Sequence, residues 1–232
     1  MVAAPPSADR AAVLDQLRAR IARLEGGGAA AAGVIPVCAE ADRVLPRGGL
    51  ARAALHEVLA ADRGAAVGFC GLLLARAAGP VLWIGAEPDL WPPGLAAFGL
   101  SPADLVLVRA GRATDGLWAL EEALRCPAVA GAVLMVDGHP PDMTATRRLQ
   151  LAAEAGGGIG LLLLPDADRI HPSVACTRWR VAAEAVPDPE RPCWRLTLLR
   201  GAGGRPAEWR LAWHAAERRL RPALVTALPV AS

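Results

Sequence analysis

The chain has 232 residues, is 53% hydrophobic, and carries 25 basic against 23 acidic side chains for a formal charge of +2, which suits one α/β domain with a buried core, a short N-terminal helix and a C-terminal tail. It contains no Lys, Asn or Tyr, so every basic side chain in that count is Arg; a P-loop using its own Lys, a Schiff-base Lys and a Lys general base are therefore excluded, even if G- and C-rich codon usage is the origin of the bias. The near-balanced charge also excludes a dedicated, strongly basic nucleic-acid module and leaves only local patches for such contacts.

The first predicted element is a helix over about residues 7–25, where Leu14, Leu17, Ile21 and Leu24 recur at spacings of 3, 4 and 3 and form one apolar stripe. The stripe is too short for an independent coiled coil; it docks on the body of the protein or serves as a partner or oligomer contact. The following GGGAAAAG, residues 26–33, is a flexible linker by composition.

From Val44 onward, short and nearly continuous apolar runs alternate with longer helical patterns, as in buried parallel sheets. Strands are predicted at residues 55–59, 80–84, 105–109, 132–137 and 159–165, with helices between them at 66–78, 91–98, 114–125 and 144–155. Three later runs, 177–182, 194–200 and 209–214, have no helices between them and read as an antiparallel edge that completes a mixed sheet. This order predicts a doubly wound or RecA-type α/β fold.

Cysteines 38, 70, 126, 176 and 193 are scattered and odd in number, as expected of reduced and mostly buried thiols. Histidines 56, 139, 171 and 214 show no ligand spacing, so no metal and no other cofactor is expected. No stretch approaches the roughly 18 apolar residues of a membrane span and the first residues are polar, which predicts a soluble, cytoplasmic protein.

In α/β folds ligands sit beyond the carboxyl ends of the strands, so the first strand-to-helix turn, LHEVLAADRGAAVGFCGLLLA, is the place to look for a phosphate cradle. The turn spans Ala60, Asp62, Arg63, Gly64, Ala65, Ala66 and Val67, with Ala66 and Val67 where a P-loop would carry its Lys and its magnesium-binding hydroxyl. Loss of both predicts that this turn does not bind ATP; the free N–H groups of the helix end offer a weak anion site at most.

The stretch from LPRGGLARAALHEV through GPVLWI and GLAAFGLSPADLVLVRA resembles the core of the RecA superfamily. Together with LWALEEALRCPAVAGAVL, TATRRLQLAAEAGGGIGLLLL and TRWRVAAE it is similar to the ImuA family, RecA-like and SulA-related accessory proteins of bacterial damage-inducible mutagenesis, in its alphaproteobacterial form. The likeness covers about residues 43–215 and implies a RecA-like domain over 34–216, a mainly parallel mixed sheet with helices on both faces and a degenerate phosphate loop, between the leading segment 1–33 and a tail 217–232.

Carried over residue by residue, the resemblance puts Glu87 where RecA proteins orient the attacking water and Asp137 at the magnesium-holding strand end; both are expected to be vestigial. The two DNA-binding loops are shortened to residues 138–143 and about 165–176. Positive charge near them, on Arg147, Arg148, Arg169, Arg178 and Arg180, supplies candidate DNA or partner contacts, with a merely solvated surface as the alternative. Arg178 and Arg180 share one face of what reads as the sheet edge, and Trp179 points to the other face, toward the core. Trp209, Leu211 and Trp213 likewise share a face, while Trp194 falls within the same region. The end of the chain, with Arg218, Arg219 and Arg221 before Leu224, Val225 and Leu228, is a candidate docking peptide.

The resemblance implies a non-enzymatic accessory role in SOS-induced translesion synthesis. Its implied partners are ImuB, an inactive Y-family polymerase homologue, a DnaE-type error-prone polymerase, and RecA. The alternatives are a SulA-like cell-division inhibitor and, less favoured by the residues, a residual ATPase in which Arg63 replaces the Lys.

Overall fold

The computed structural model describes residues 33–88, 90–167, 171–185, 191–201 and 206–223. Its first part is a small two-stranded antiparallel sheet, β1 (Val34–Ile35) and β2 (Leu50–Ala51), with the short helix α1 (Ala39–Asp42) between them. The main sheet has nine strands in the order β11-β10-β9-β8-β3-β7-β6-β4-β5. Its strands are β3 (Ala54–Ala60), β4 (Val81–Gly85), β5 (Leu105–Arg109), β6 (Gly131–Met135), β7 (Ile159–Pro165), β8 (Thr177–Glu184), β9 (Cys193–Gly201), β10 (Ala207–His214) and β11 (Arg219–Pro222). Pairings from β8 to β5 are parallel, and those from β8 outward to β11 are antiparallel. The α/β class and the mixed, mainly parallel sheet are as expected from the alternation of apolar runs and helical patterns.

Four helices flank this sheet: α2 (Arg63–Ala77), α3 (Pro92–Ala96), α4 (Ala113–Arg125) and α5 (Met143–Gly156). Residues of α2 and α3 pack with one face of the sheet, together with Ile35, Val37, Leu45 and Leu50. Helices α4 and α5 cover the opposite face through Leu120, Leu124, Leu149 and Ala153.

Helix α2 lies between the sheet and the β1/β2 segment, which explains its nearly unbroken run of Ala, Gly, Leu, Phe and Cys: a helix buried on most sides has no polar face to display. A methyl at Gly68 would lie 2.8 Å from the Trp194 ring, so the absent side chain admits that indole. Around it Phe69, Phe98, Trp179, Trp194, Trp209 and Trp213 form a chain of tilted and edge-on ring contacts with centroids 5.2–6.3 Å apart. Both Trp179 and the Trp209/Trp213 face are on the core side, as the period of two predicts.

Several boundaries differ from the sequence reading. Strand β6 ends at Met135, leaving Asp137 two residues beyond it, and α3 stops at Ala96. Helix α2 starts three residues early, because Asp62 caps it. The sheet continues past His214: Arg219–Pro222 pairs with β10, so Arg219 and Arg221 belong to an edge strand and not to a tail. The runs 177–182, 194–200 and 209–214 form the antiparallel side of the mixed sheet as expected, but β8, with Arg178 and Arg180, lies inside it between β3 and β9. The predicted helix with Leu14, Leu17, Ile21 and Leu24, most of the linker, and Arg169, Leu224, Val225 and Leu228 lie outside the described residues. Among the described residues, no helix is long and apolar enough to cross a membrane.

Candidate functional site

Parallel strands deliver their C-terminal ends to one edge of the sheet, and the turn after β3, Asp137 after β6 and Glu87 after β4 all lie there. The turn is very short. Only Ala61 and Asp62 separate β3 from α2. The Asp62 amide donates to the carbonyl of Val181 on β8 (3.1 Å), and its carboxylate accepts the Ala65 N–H at 2.7 Å.

The helix end is therefore occupied by a side chain of the protein's own, with its negative charge at the positive end of the helix dipole. Ala65 and Ala66 are buried in the core, and Val67 packs partly against it. Arg63 belongs to the first turn of the helix, and its guanidinium stands 3.9 Å from Asp137, with both side chains more than half exposed. Glu87 is ion-paired with Arg109 on the outermost strand. Such exposed pairs contribute little to stability.

A concavity of about 400 Å³ opens beside the start of α2. Asp62, Gly64, Phe98, Glu184, Arg191 and Trp194 are among its lining, which thus combines aromatic surface with two carboxylates and one guanidinium. Asp62 is the helix cap, and Glu184 pairs with Arg195 at 3.1 Å.

The candidate arginines separate into different environments. Arg147 is exposed on α5. Arg148 reaches Glu121 on α4, which also takes Arg125 at 2.5 Å; Glu121 is buried, so this carboxylate joins the two helices. Arg180 pairs with Asp166 at 2.8 Å. At the far edge, Glu217 holds Arg219 at 2.7 Å and also Arg221, while Arg218 takes a left-handed backbone conformation (φ 49°).

Arg178 is not available to DNA. It is 2% exposed and donates through Nε to Glu57 Oε2 at 2.5 Å, and through Nη2 to the His171 carbonyl at 2.9 Å. His171 Nε2 lies 3.2 Å from the other Glu57 oxygen. Glu57 and Arg178 are direct partners in the parallel register of β3 and β8, so this buried cluster joins two central strands to the 165–176 connection. One residue away a second polar chain runs from Trp179 Nε1 to Thr177 Oγ1, then to His56 Nδ1, with His56 Nε2 donating to the Ala51 carbonyl. All three steps are 2.8–2.9 Å. Burial pushes the His56 imidazole down to about 4, only partly opposed by its bond to Ala51, so the ring is neutral at pH 7.

Sequence reasoning missed both clusters. The available signal was His56–Glu57 in the middle of the otherwise apolar ALHEVLA, since two polar side chains inside a buried strand require partners. All five cysteines are free; burial holds the Cys38 thiol up at about 11 and raises Cys70 further, while Cys126 is exposed. Arg63, Glu87 and Asp137 therefore lie at one edge of the sheet, whereas the described arginine candidates fall in separate environments.

No protein-family model matches the chain. It is 38% identical to the protein ImuA of two strains of Caulobacter vibrioides (NA1000 and CB 15), in a 192-residue alignment covering 72% of this chain and 78% of the relative. A shorter alignment of 91 residues, 38% of this chain and 52% of the relative, is 35% identical to the cell division inhibitor SulA of Edwardsiella piscicida.

Proposed function

Since the chain belongs to the ImuA family, we propose that it serves damage-induced mutagenesis as a RecA-like, non-catalytic binding platform. In this reading it brings ImuB and a DnaE-type error-prone polymerase together in translesion synthesis and also contacts RecA. The observation that carries the non-catalytic part is the two-residue turn at Ala61–Asp62, in which a carboxylate already holds the α2 end. A phosphate cradle needs several free backbone amides converging on an anion, with a cation beside them. Ala66, which we read as standing in place of a phosphate-binding Lys, is buried, and Arg63, the nearest replacement, stands 3.9 Å from Asp137. The concavity beside the turn, with two carboxylates to one guanidinium, suits neutral or cationic groups better than a triphosphate. The turn thus reads as a degenerate phosphate loop, and Glu87 and Asp137 as vestigial.

Calorimetry of the full chain with ATP and magnesium is expected to give no binding heat. Micromolar binding would revive the ATPase reading. Co-purification with the cognate ImuB is expected to yield a complex, and failure to bind ImuB in both pull-down and bacterial two-hybrid assays would overturn the platform.

The partial likeness to a division inhibitor supports a second reading, inhibition of cytokinesis. Overproduction separates the two, because filamentous cells are expected only from the inhibitor, and we expect normal division.

A further inference from the structure

The two edges of the nine-stranded sheet are built differently. At one edge β11 reads RLRP, with Arg219, Arg221 and Pro222 exposed: charges and a proline that discourage another strand from adding. At the other edge β5 reads LVLVR, and Val106 and Leu107 are 51% and 45% exposed. Among the described residues this edge pairs with β4 on one side only, and no charge interrupts its four apolar residues. An unguarded apolar edge is a template for strand addition.

The backbone specifies what fits it. The Ala110 amide donates to Gly85 of β4, so by alternation Val106 and Val108 turn their amides and carbonyls inward, and Leu105, Leu107 and Arg109 turn theirs outward. A second copy of the same strand, running antiparallel with Leu107 on the two-fold axis, sets Leu107 against its twin and Leu105 against the partner's Arg109. In that register each outward residue meets an outward residue and exchanges two hydrogen bonds with it. No outward group of β5 is left over. On one face Val106 meets the partner's Val108, and on the other the two Leu107 side chains meet.

The charges agree with this direction. Each strand has Asp104 at its start and Arg109 at its end, both exposed; Arg109 already holds Glu87, and Arg112 just beyond is taken up by Asp115. Antiparallel pairing brings Asp104 of one copy beside Arg109 of the other, where it joins Glu87 around one guanidinium, whereas parallel pairing would set Asp104 beside its own twin.

We propose that two copies of this chain associate through β5, giving a symmetric dimer with one sheet continuous across both. This goes beyond the function proposed above and does not depend on it.

Sedimentation of the full chain across micromolar to hundred-micromolar concentrations is expected to reveal a dimer of about twice the 24.0 kDa chain mass. Leu107→Lys is expected to abolish it while leaving the circular dichroism and thermal unfolding of a folded protein. In a Cys126→Ser background, Leu107→Cys is expected to cross-link to its twin on mild oxidation, because paired Cα atoms about 5.5 Å apart lie within disulfide range. Val106→Cys, which faces the partner's Val108, is expected not to cross-link. A chain monomeric throughout, a dimer surviving Leu107→Lys, or cross-linking by Val106→Cys in place of Leu107→Cys would each overturn the proposal.

Discussion

Arg178→Ala is expected to cost roughly 3–5 kcal/mol of unfolding free energy, the largest effect of any single substitution considered, because it leaves a carboxylate buried without its counter-ion. Glu57 is fully buried, and Arg178 is 2% exposed with its guanidinium divided between Glu57 and the His171 carbonyl. Removing the cation forces Glu57 either to remain charged in a poorly solvating interior or to take up a proton; both raise the energy of the folded state. Glu57→Ala should cost a similar amount for the mirror-image reason.

The paired replacement Glu57→Leu with Arg178→Met is expected to recover most of the loss, because apolar groups of similar volume need no compensation. Guanidinium unfolding of the four proteins measures all three differences. An Arg178→Ala protein as stable as the parent, but weaker on DNA, would instead return this residue to the surface role that its sequence position suggests.

Acid is expected to weaken the fold through His56. Burial lowers the folded-state value from the ordinary 6.5 to about 4, so between those pH values the unfolded chain holds a proton that the native chain does not. Protons bound preferentially by the unfolded state favour unfolding. This contribution is therefore fully present above about pH 7, declines as the pH falls through 6.5, and is exhausted near 4.

The gap between the two values corresponds to about 3 kcal/mol. His56→Gln removes the titration: the variant should be less stable at pH 7.5, having lost the chain from Thr177 to Ala51, yet show a shallower fall over the acidic window. Denaturant midpoints at half-unit pH steps test this, and parallel curves for parent and variant would contradict a neutral, buried His56.

The position of Arg178 was legible only in part. The alternation within TRWRVAAE correctly separates Trp179 from Arg178 and Arg180, because side-chain direction along a strand is a local property with a period of two. Whether a face is wet or dry is not local. It depends on β3 and β9 standing on either side of β8, and on the 165–176 connection bringing His171 to Glu57. Arg148 illustrates the same gap, since its partner Glu121 belongs to the preceding helix and is brought to it by α4–α5 packing.

At the candidate site the sequence supplied the identities and the structure supplied the distances. The absence of Lys, and of any hydroxyl from the first turns after β3, could be read from the chain alone. That Asp62 shortens the turn and closes the helix end could not, although an Asp three residues ahead of Ala65 is a recognisable capping signal. The continuation into β11 was hidden for a related reason: RLRP is too short, charged and proline-bounded to resemble a strand until β10 is beside it.

By itself, then, the sequence determined the α/β class, the order of the elements from β3 to β10 and the exclusion of Lys chemistry, because periodicity and composition are carried by neighbours along the chain. Tertiary structure decided which arginines are buried, which carboxylate caps α2 and which edge of the sheet is open. Those follow from strand order and from contacts between residues as far apart as Glu57 and Arg178, which no local pattern encodes.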